Sequence, residues 1–113
     1  IFDILPAQSI ARGFLLYPDP WPKKRHHRRR FVTPEYLQPL SQVLQSGAIF
    51  RVATDIPDYV RQTLDQVPQH GFDWLAETPV DWRTAWPDWI STRYEQKALR
   101  EDRVPHYLSF QRR

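Results

Sequence analysis

The chain has 113 residues, 41% of them hydrophobic and 14% aromatic, which suits one domain or part of one and excludes disorder throughout. It has no cysteine, so disulfides and thiolate metal sites are excluded, and the composition is compatible with a reducing compartment. Sixteen Lys and Arg stand against 13 Asp and Glu, a formal net charge of +3, and no apolar run approaches membrane-spanning length.

Residues 12–17 hold the apolar run Phe14-Leu15-Leu16-Tyr17, closed by Pro18, which predicts a short strand buried on both faces. Next, Pro18-Asp19-Pro20-Trp21-Pro22 sets a carboxylate and an indole among prolines. Each proline fixes a backbone angle and removes a donor, so Asp19 and Trp21 are expected on a rigid loop that loses little further entropy when a substrate arrives. Lys23, Lys24, Arg25, Arg28, Arg29 and Arg30 follow at once and supply six of the 16 basic residues. Without them ten bases face 13 acids, so the remainder is net −3 while the whole is +3, and the positive charge is local. No apolar amphipathic face accompanies the run, so it points to nucleic acid rather than a membrane surface. Charge alone also suits a solvated loop or a nuclear-import signal.

Thr33-Pro34-Glu35 offers an N-cap, a proline at the first helical position and an early acid, followed by Leu37, Leu40, Val43 and Leu44 on one face. Gly47 is expected to end that helix, and Pro39 to kink it or loosen its first turn. Residues 48–54 predict a second strand with Asp55 at its carboxyl end, where open α/β sheets commonly hold functional side chains. A second helix starts at Pro57, buries Tyr59, Val60, Leu64 and Val67, and stops at Pro68 and Gly71. Residues 72–77 and 104–111 are expected to close the fold as an antiparallel pair, separated by a Trp-rich loop over 79–89 and a short helix from near Thr92. Trp74, Trp82, Trp86 and Trp89 read as packing residues, and His70 and His106 carry no specific signal. Alternating strands and helices predict an α/β fold.

The string Pro18-Asp19-Pro20-Trp21-Pro22-Lys23-Lys24-Arg25-His26-His27-Arg28-Arg29-Arg30, with Ala53-Thr54-Asp55 and Thr92-Arg93-Tyr94-Glu95 further on, resembles the catalytic half of the bacterial tRNA (guanine-N(7)-)-methyltransferases. The resemblance covers nearly the whole chain in consistent order. It implies a Rossmann-like class I fold, dependence on S-adenosylmethionine, and methyl transfer to the 7-nitrogen of a guanosine in the tRNA variable loop. It also implies tRNA as partner and a cytoplasmic location. By the same resemblance Asp19 is the catalytic residue and approaches the cofactor. Lys23, Asp55, Thr92, Arg93, Tyr94 and Glu95 contact substrate, and Arg25, His26, His27, Arg28, Arg29 and Arg30 line the RNA. Gly13, Gly47 and Gly71 form no Gly-rich fingerprint, the first residue is Ile1, and there is no Met. Residues 1–113 are therefore expected to be the C-terminal, tRNA-facing part of one methyltransferase domain, with most cofactor contacts coming from an N-terminal half outside them.

The residue types suit that chemistry. Guanine N7 has a free lone pair at neutral pH, so attack needs no base to remove a proton, and alignment of nitrogen, methyl carbon and leaving group dominates. Asp19 then positions and stabilises, by accepting hydrogen bonds from guanine or approaching the cofactor; otherwise it is an ordinary turn aspartate. Guanine's pairing edge presents a ring N–H and an amino group side by side, and one ionised carboxylate, Asp55 or Glu95, can accept from both. Outside the resemblance these two read as a helix cap and a helical surface acid. Lys23 can neutralise a phosphate near the target nucleotide. His26 and His27 lack a third ligand, so no metal site is expected. Trp21 either stacks on a base or supports the loop from within. The alternative function is a non-catalytic RNA-binding module, for which Asp19, Asp55 and the 92–95 segment have no use.

Overall fold

The structure, a computed structural model, describes residues 7–19, 21, 23–86 and 93–113, with Tyr94 described only by its backbone. The elements are β1 (Ile10–Leu16), a 3-10 helix (Lys24–Arg29), α1 (Pro34–Val43), β2 (Leu44–Thr54) and α2 (Pro57–Gln66). A second 3-10 turn (Val67–His70), β3 (Phe72–Trp74), α3 (Val80–Arg83), α4 (Arg93–Arg100) and β4 (His106–Arg112) follow. The four strands form one sheet in the order β1-β2-β4-β3. β1 and β2 are parallel, while β4 runs antiparallel to both β2 and β3. The closing antiparallel pair is thus present, with β4 inserted between β2 and β3.

Thr33 is extended ahead of Pro34, whose fixed φ suits a first helical residue. Its hydroxyl donates to the Arg30 carbonyl at 3.0 Å rather than capping the helix. α1 continues through Pro39, which leaves the Glu35 carbonyl of the first turn without its helical donor. Contrary to expectation, Gly47 does not end it. Leu44 already opens β2, and Gly47 lies within that strand at φ +84°. There the β1–β2 register slips from Ile10↔Leu44 to Arg12↔Ile49, and the extra β2 residues need a left-handed kink that glycine takes at little cost.

The core lies between the sheet and the helices α1 and α2. Leu37, Phe50, Val52, Tyr59, Val67, Phe72, Leu108 and Phe110 are at most 1% exposed, each large side chain contributing roughly 1.5–3 kcal/mol. On α2, Tyr59 and Thr63 are the fully buried pair, whereas Val60 and Leu64 are only partly covered. Thr63 can lie inside because its hydroxyl donates to the Tyr59 carbonyl at 2.8 Å. The 3-10 turn ends at Gly71 with φ +90°, as expected for a helix stop.

Two expectations about burial fail. β1 is not covered on both faces: Phe14 is 51% and Leu16 37% exposed. Ile10, Gly13 and Leu15 are the partly covered residues, and a Cβ on Gly13 would stand 3.2 Å from the Phe50 ring. β3 spans only Phe72–Trp74, and Trp74 is exposed rather than packed. Trp82 stacks on His106 at 5.4 Å, and buried Trp86 donates from Nε1 to Ser109 Oγ at 2.8 Å. Trp89 lies outside the described residues.

Candidate active site and basic surface

Because β1 and β2 are parallel, their carboxyl ends lie side by side: Leu16 pairs with Ala53, and the Tyr17 amide donates to the Ala53 carbonyl at 2.7 Å. The chain leaves β1 through Tyr17 at φ +49°, and Trp21 has φ +40°. Non-glycine residues held in the left-handed region cost about 1–3 kcal/mol each and cluster at functional sites. Between them sits Asp19, exposed, its Oδ1 accepting the Trp21 amide at 3.0 Å. That bond closes an Asx-type turn, and among the described residues the second carboxylate oxygen takes no hydrogen bond.

Tyr17 packs with Ala53, Trp86 and Tyr107. Tyr107 Oη donates to the carboxylate of Glu95, which is 3% exposed at the start of α4. Asp55, at the carboxyl end of β2, accepts from Arg103, whose guanidinium also bonds Glu101. Burial, then the negative charge of Glu95, pushes the Tyr17 phenol well above its ordinary value, with Tyr107 and Asp55 adding to the effect. Burial and the Glu95 hydrogen bond raise Tyr107 in the same way. By the resemblance both acids contact substrate, with one of them, Asp55 or Glu95, reading the base; in the structure each also accepts from a donor of its own, as a carboxylate withdrawn from water requires.

Lys23 is extended at the entrance to the 3-10 helix, and Lys23, Lys24, Arg25, Arg28 and Arg29 are exposed, with His26 and His27 half-buried. In a 3-10 helix residues three apart eclipse, so Arg25 and Arg28 share one face. Trp21 is half-buried, with Arg29 over its ring at 5.1 Å and His26 edge-on at 5.8 Å. The indole therefore supports the basic helix. Arg30, which the resemblance sets on the RNA track, is 1% exposed and bonds Asp58 and Gln62 on α2, each at 2.8 Å. Arg93 is exposed, while Thr92 and the Tyr94 side chain fall outside the described residues.

Sequence reasoning missed Tyr17, Tyr107 and Arg103. Tyr17 carried a signal, standing last in a strand run directly before Pro18-Asp19-Pro20. Tyr107 carried a weaker one through strand alternation, and Arg103, 48 residues from Asp55, carried none.

The parallel pair, the turn carboxylate at its end and the antiparallel closing strands define an α/β methyltransferase-type fold. The sheet and helices match SpnF, a [4+2]-cyclase, with a TM-score of 0.55 at 14% identity, over 96% of this chain and 53% of that one. A Thermus thermophilus protein described as a candidate DNA modification methylase matches with a TM-score of 0.57 at 15% identity, over 99% and 48%. At such identities the likeness concerns the fold alone. A family model described as "Putative methyltransferase" matches residues 1–108, and the chain belongs to that family. It is 80% identical over 112 residues to a tRNA (guanine-N(7)-)-methyltransferase of Ruegeria pomeroyi, covering 99% of this chain and 47% of that protein. Proteins of the same name from Jannaschia sp. and Bartonella quintana are 68% and 50% identical, over 100% and 97% of this chain and 48% of each relative. The chain spans about half the length of the curated relatives it matches.

Proposed function

We propose that the whole protein methylates the 7-nitrogen of a guanosine in the tRNA variable loop, in the cytoplasm, and that this chain supplies its tRNA-facing portion. The observation that carries the reading is the Asp19 turn, held between two left-handed residues and set directly against an exposed basic helix. A module that only bound RNA would have no use for a carboxylate so placed, since it repels phosphate. The similarity to tRNA (guanine-N(7)-)-methyltransferases over 99% of the chain supports the same reading.

S-adenosylmethionine, when bound, supplies an electrophilic methyl carbon on a sulfonium. The described residues fit the cationic end of that molecule: Asp19 offers an exposed carboxylate oxygen, with Trp21 and Tyr17 beside it. No Gly-rich turn is present for the rest, so the remaining contacts belong to the part of the protein outside this chain.

The residues' work is positional. Lys23, Arg25 and Arg28 hold phosphates, with His26, His27 and Arg29 supporting the track, and thereby fix the nucleotide relative to the Asp19 turn. N7 needs no deprotonation, so Asp19 acts by orienting and by stabilising positive charge. Thr92 and Tyr94 contact the substrate, and Arg93 approaches the base from the start of α4. Glu95 contacts it through whatever acceptor capacity Tyr107 leaves, and Asp55 does so from the end of β2, alongside Arg103.

In the full-length protein, Asp19→Asn is expected to lower the single-turnover rate at least tenfold while leaving tRNA affinity within about twofold. Aniline cleavage at 7-methylguanosine would map the product to the variable loop. Equal turnover in mutant and parent removes Asp19 from catalysis, and cleavage elsewhere moves the target.

A further inference from the structure

Of the described residues in the basic run, Arg30 alone is buried, and its contacts run between the Asp19 turn and α2, the helix that follows Asp55. Its Nη1 donates to Asp58 Oδ2 and Gln62 Oε1 at 2.8 Å, its Nη2 reaches the Trp21 carbonyl at 3.5 Å, and its guanidinium lies over Tyr59 at 5.2 Å. Asp58, Tyr59 and Gln62 belong to α2, which begins at Pro57, just after Asp55. On the other side, Trp21 carries Asp19 directly: its amide donates to Asp19 Oδ1 while its carbonyl accepts from Arg30. Gln62 returns an amide to the Val32 carbonyl at 3.3 Å, and Thr33 bonds the Arg30 carbonyl at 3.0 Å, so the backbone after Arg30 is held to the same helix.

We propose that Arg30 is a positioning residue that locks the Asp19 turn onto α2 and so sets the placement of the Asp19 carboxylate relative to the Asp55 end of β2. This rests on the methyl-transfer reading above. A planar guanidinium with five donors can serve acceptors on two elements at once, whereas a lysine ammonium on a flexible stem cannot hold the same fork. A buried ion pair kept only for stability is often replaceable by apolar residues. Here the acceptors are a helix carboxylate, a helix amide and the carbonyl of the residue that orients Asp19, an arrangement that transmits position. Asp58 is the exchange point, since it also faces His27 at 3.5 Å and Arg61 at 3.0 Å.

The test uses the full-length protein with Asp58→Asn and Arg30→Gln, and Arg61→Ala as the variant that removes only the exposed partner of Asp58. Hydrogen exchange over residues 17–30, single-turnover methyl transfer at saturating tRNA, and the salt dependence of tRNA binding are measured on each. Asp58→Asn and Arg30→Gln are expected to speed exchange across 17–30 and to lower the single-turnover rate about tenfold with the salt slope unchanged, while Arg61→Ala matches the parent rate. Where Arg30→Gln does not fold, Asp58→Asn decides. Parent-like exchange and rate in folded Asp58→Asn overturn the proposal, as does a flattened salt slope in Arg30→Gln, which would put the guanidinium on a phosphate. A parent that transfers no methyl to tRNA guanosine removes the proposed function instead, and the exchange measurement then still judges the lock.

Discussion

Three phenols are withdrawn from water in ways that solution measurement can read. Burial pushes Tyr59 up to about 12, and burial together with the charge of Glu95 raises Tyr17 and Tyr107. A phenol whose folded value exceeds its unfolded value near 10 favours the folded state while neutral. That stability is complete below about pH 10 and is lost as pH climbs through the folded value. The protein is therefore expected to hold its denaturation midpoint to about pH 10 and lose it steeply between there and about 12. Spectroscopic titration should show these tyrosines ionising only as the fold opens. Their ionisation near pH 10 in still-folded protein would contradict the burial described.

The 3-10 helix Lys24–Arg29 divides its cations into two kinds. Arg25 and Arg28 are exposed and eclipsed, free to meet phosphates, whereas Arg29 lies over Trp21 and Arg30, just beyond the helix, is committed to α2. Replacing Arg25 and Arg28 together with alanine is expected to leave the fold intact and to flatten the salt dependence of tRNA binding by as much as ~0.7–0.9 log units for each phosphate no longer neutralised. Salt titrations on the full-length double mutant check this, and an unchanged slope would mean that this face of the helix points away from RNA. α2 contributes a different pH signature. The Arg30 hydrogen bond, helped by that of Arg61, holds the Asp58 carboxyl below the usual carboxylate range. Its contribution is present above the ordinary carboxylate value and fades as acid carries the pH below it, modestly, because Asp58 is 44% exposed.

At the scale of the whole molecule, β1 decides how the chain behaves alone. Among the described residues it pairs only with β2, and Phe14 and Leu16 stand exposed on it. An apolar strand with one free edge is a template for pairing. The isolated 113-residue chain is expected to associate through that edge, and Phe14→Lys to shift it toward monomer in sedimentation experiments. It is also expected to bind S-adenosylmethionine weakly or not at all, since it has no Gly-rich turn. Micromolar binding by a verified monomer in calorimetry would show that this chain holds the cofactor unaided.

What the sequence determined by itself is what short-range chemistry controls. Pro34 and Pro57 open helices, Gly71 closes one, strand runs give strands, and Asp19 folds back onto the amide two residues on. Each of these is settled within a few residues by φ restriction, side-chain period or a local hydrogen bond. The tertiary structure decided which members of a uniform-looking set do which work. Arg30 and Arg28 are indistinguishable in the string, yet Arg30 is buried because Asp58 and Gln62, 28 and 32 residues away, present acceptors to it. Glu95 reads as a surface acid until Tyr107 on β4 closes over it, and Asp55 as a helix cap until Arg103 arrives. Gly47 carries the marks of a helix stop and instead absorbs a register slip that only the pairing of β1 with β2 creates. Burial and pairing of polar groups depend on partners distant in the chain, and no local pattern encodes which partner arrives.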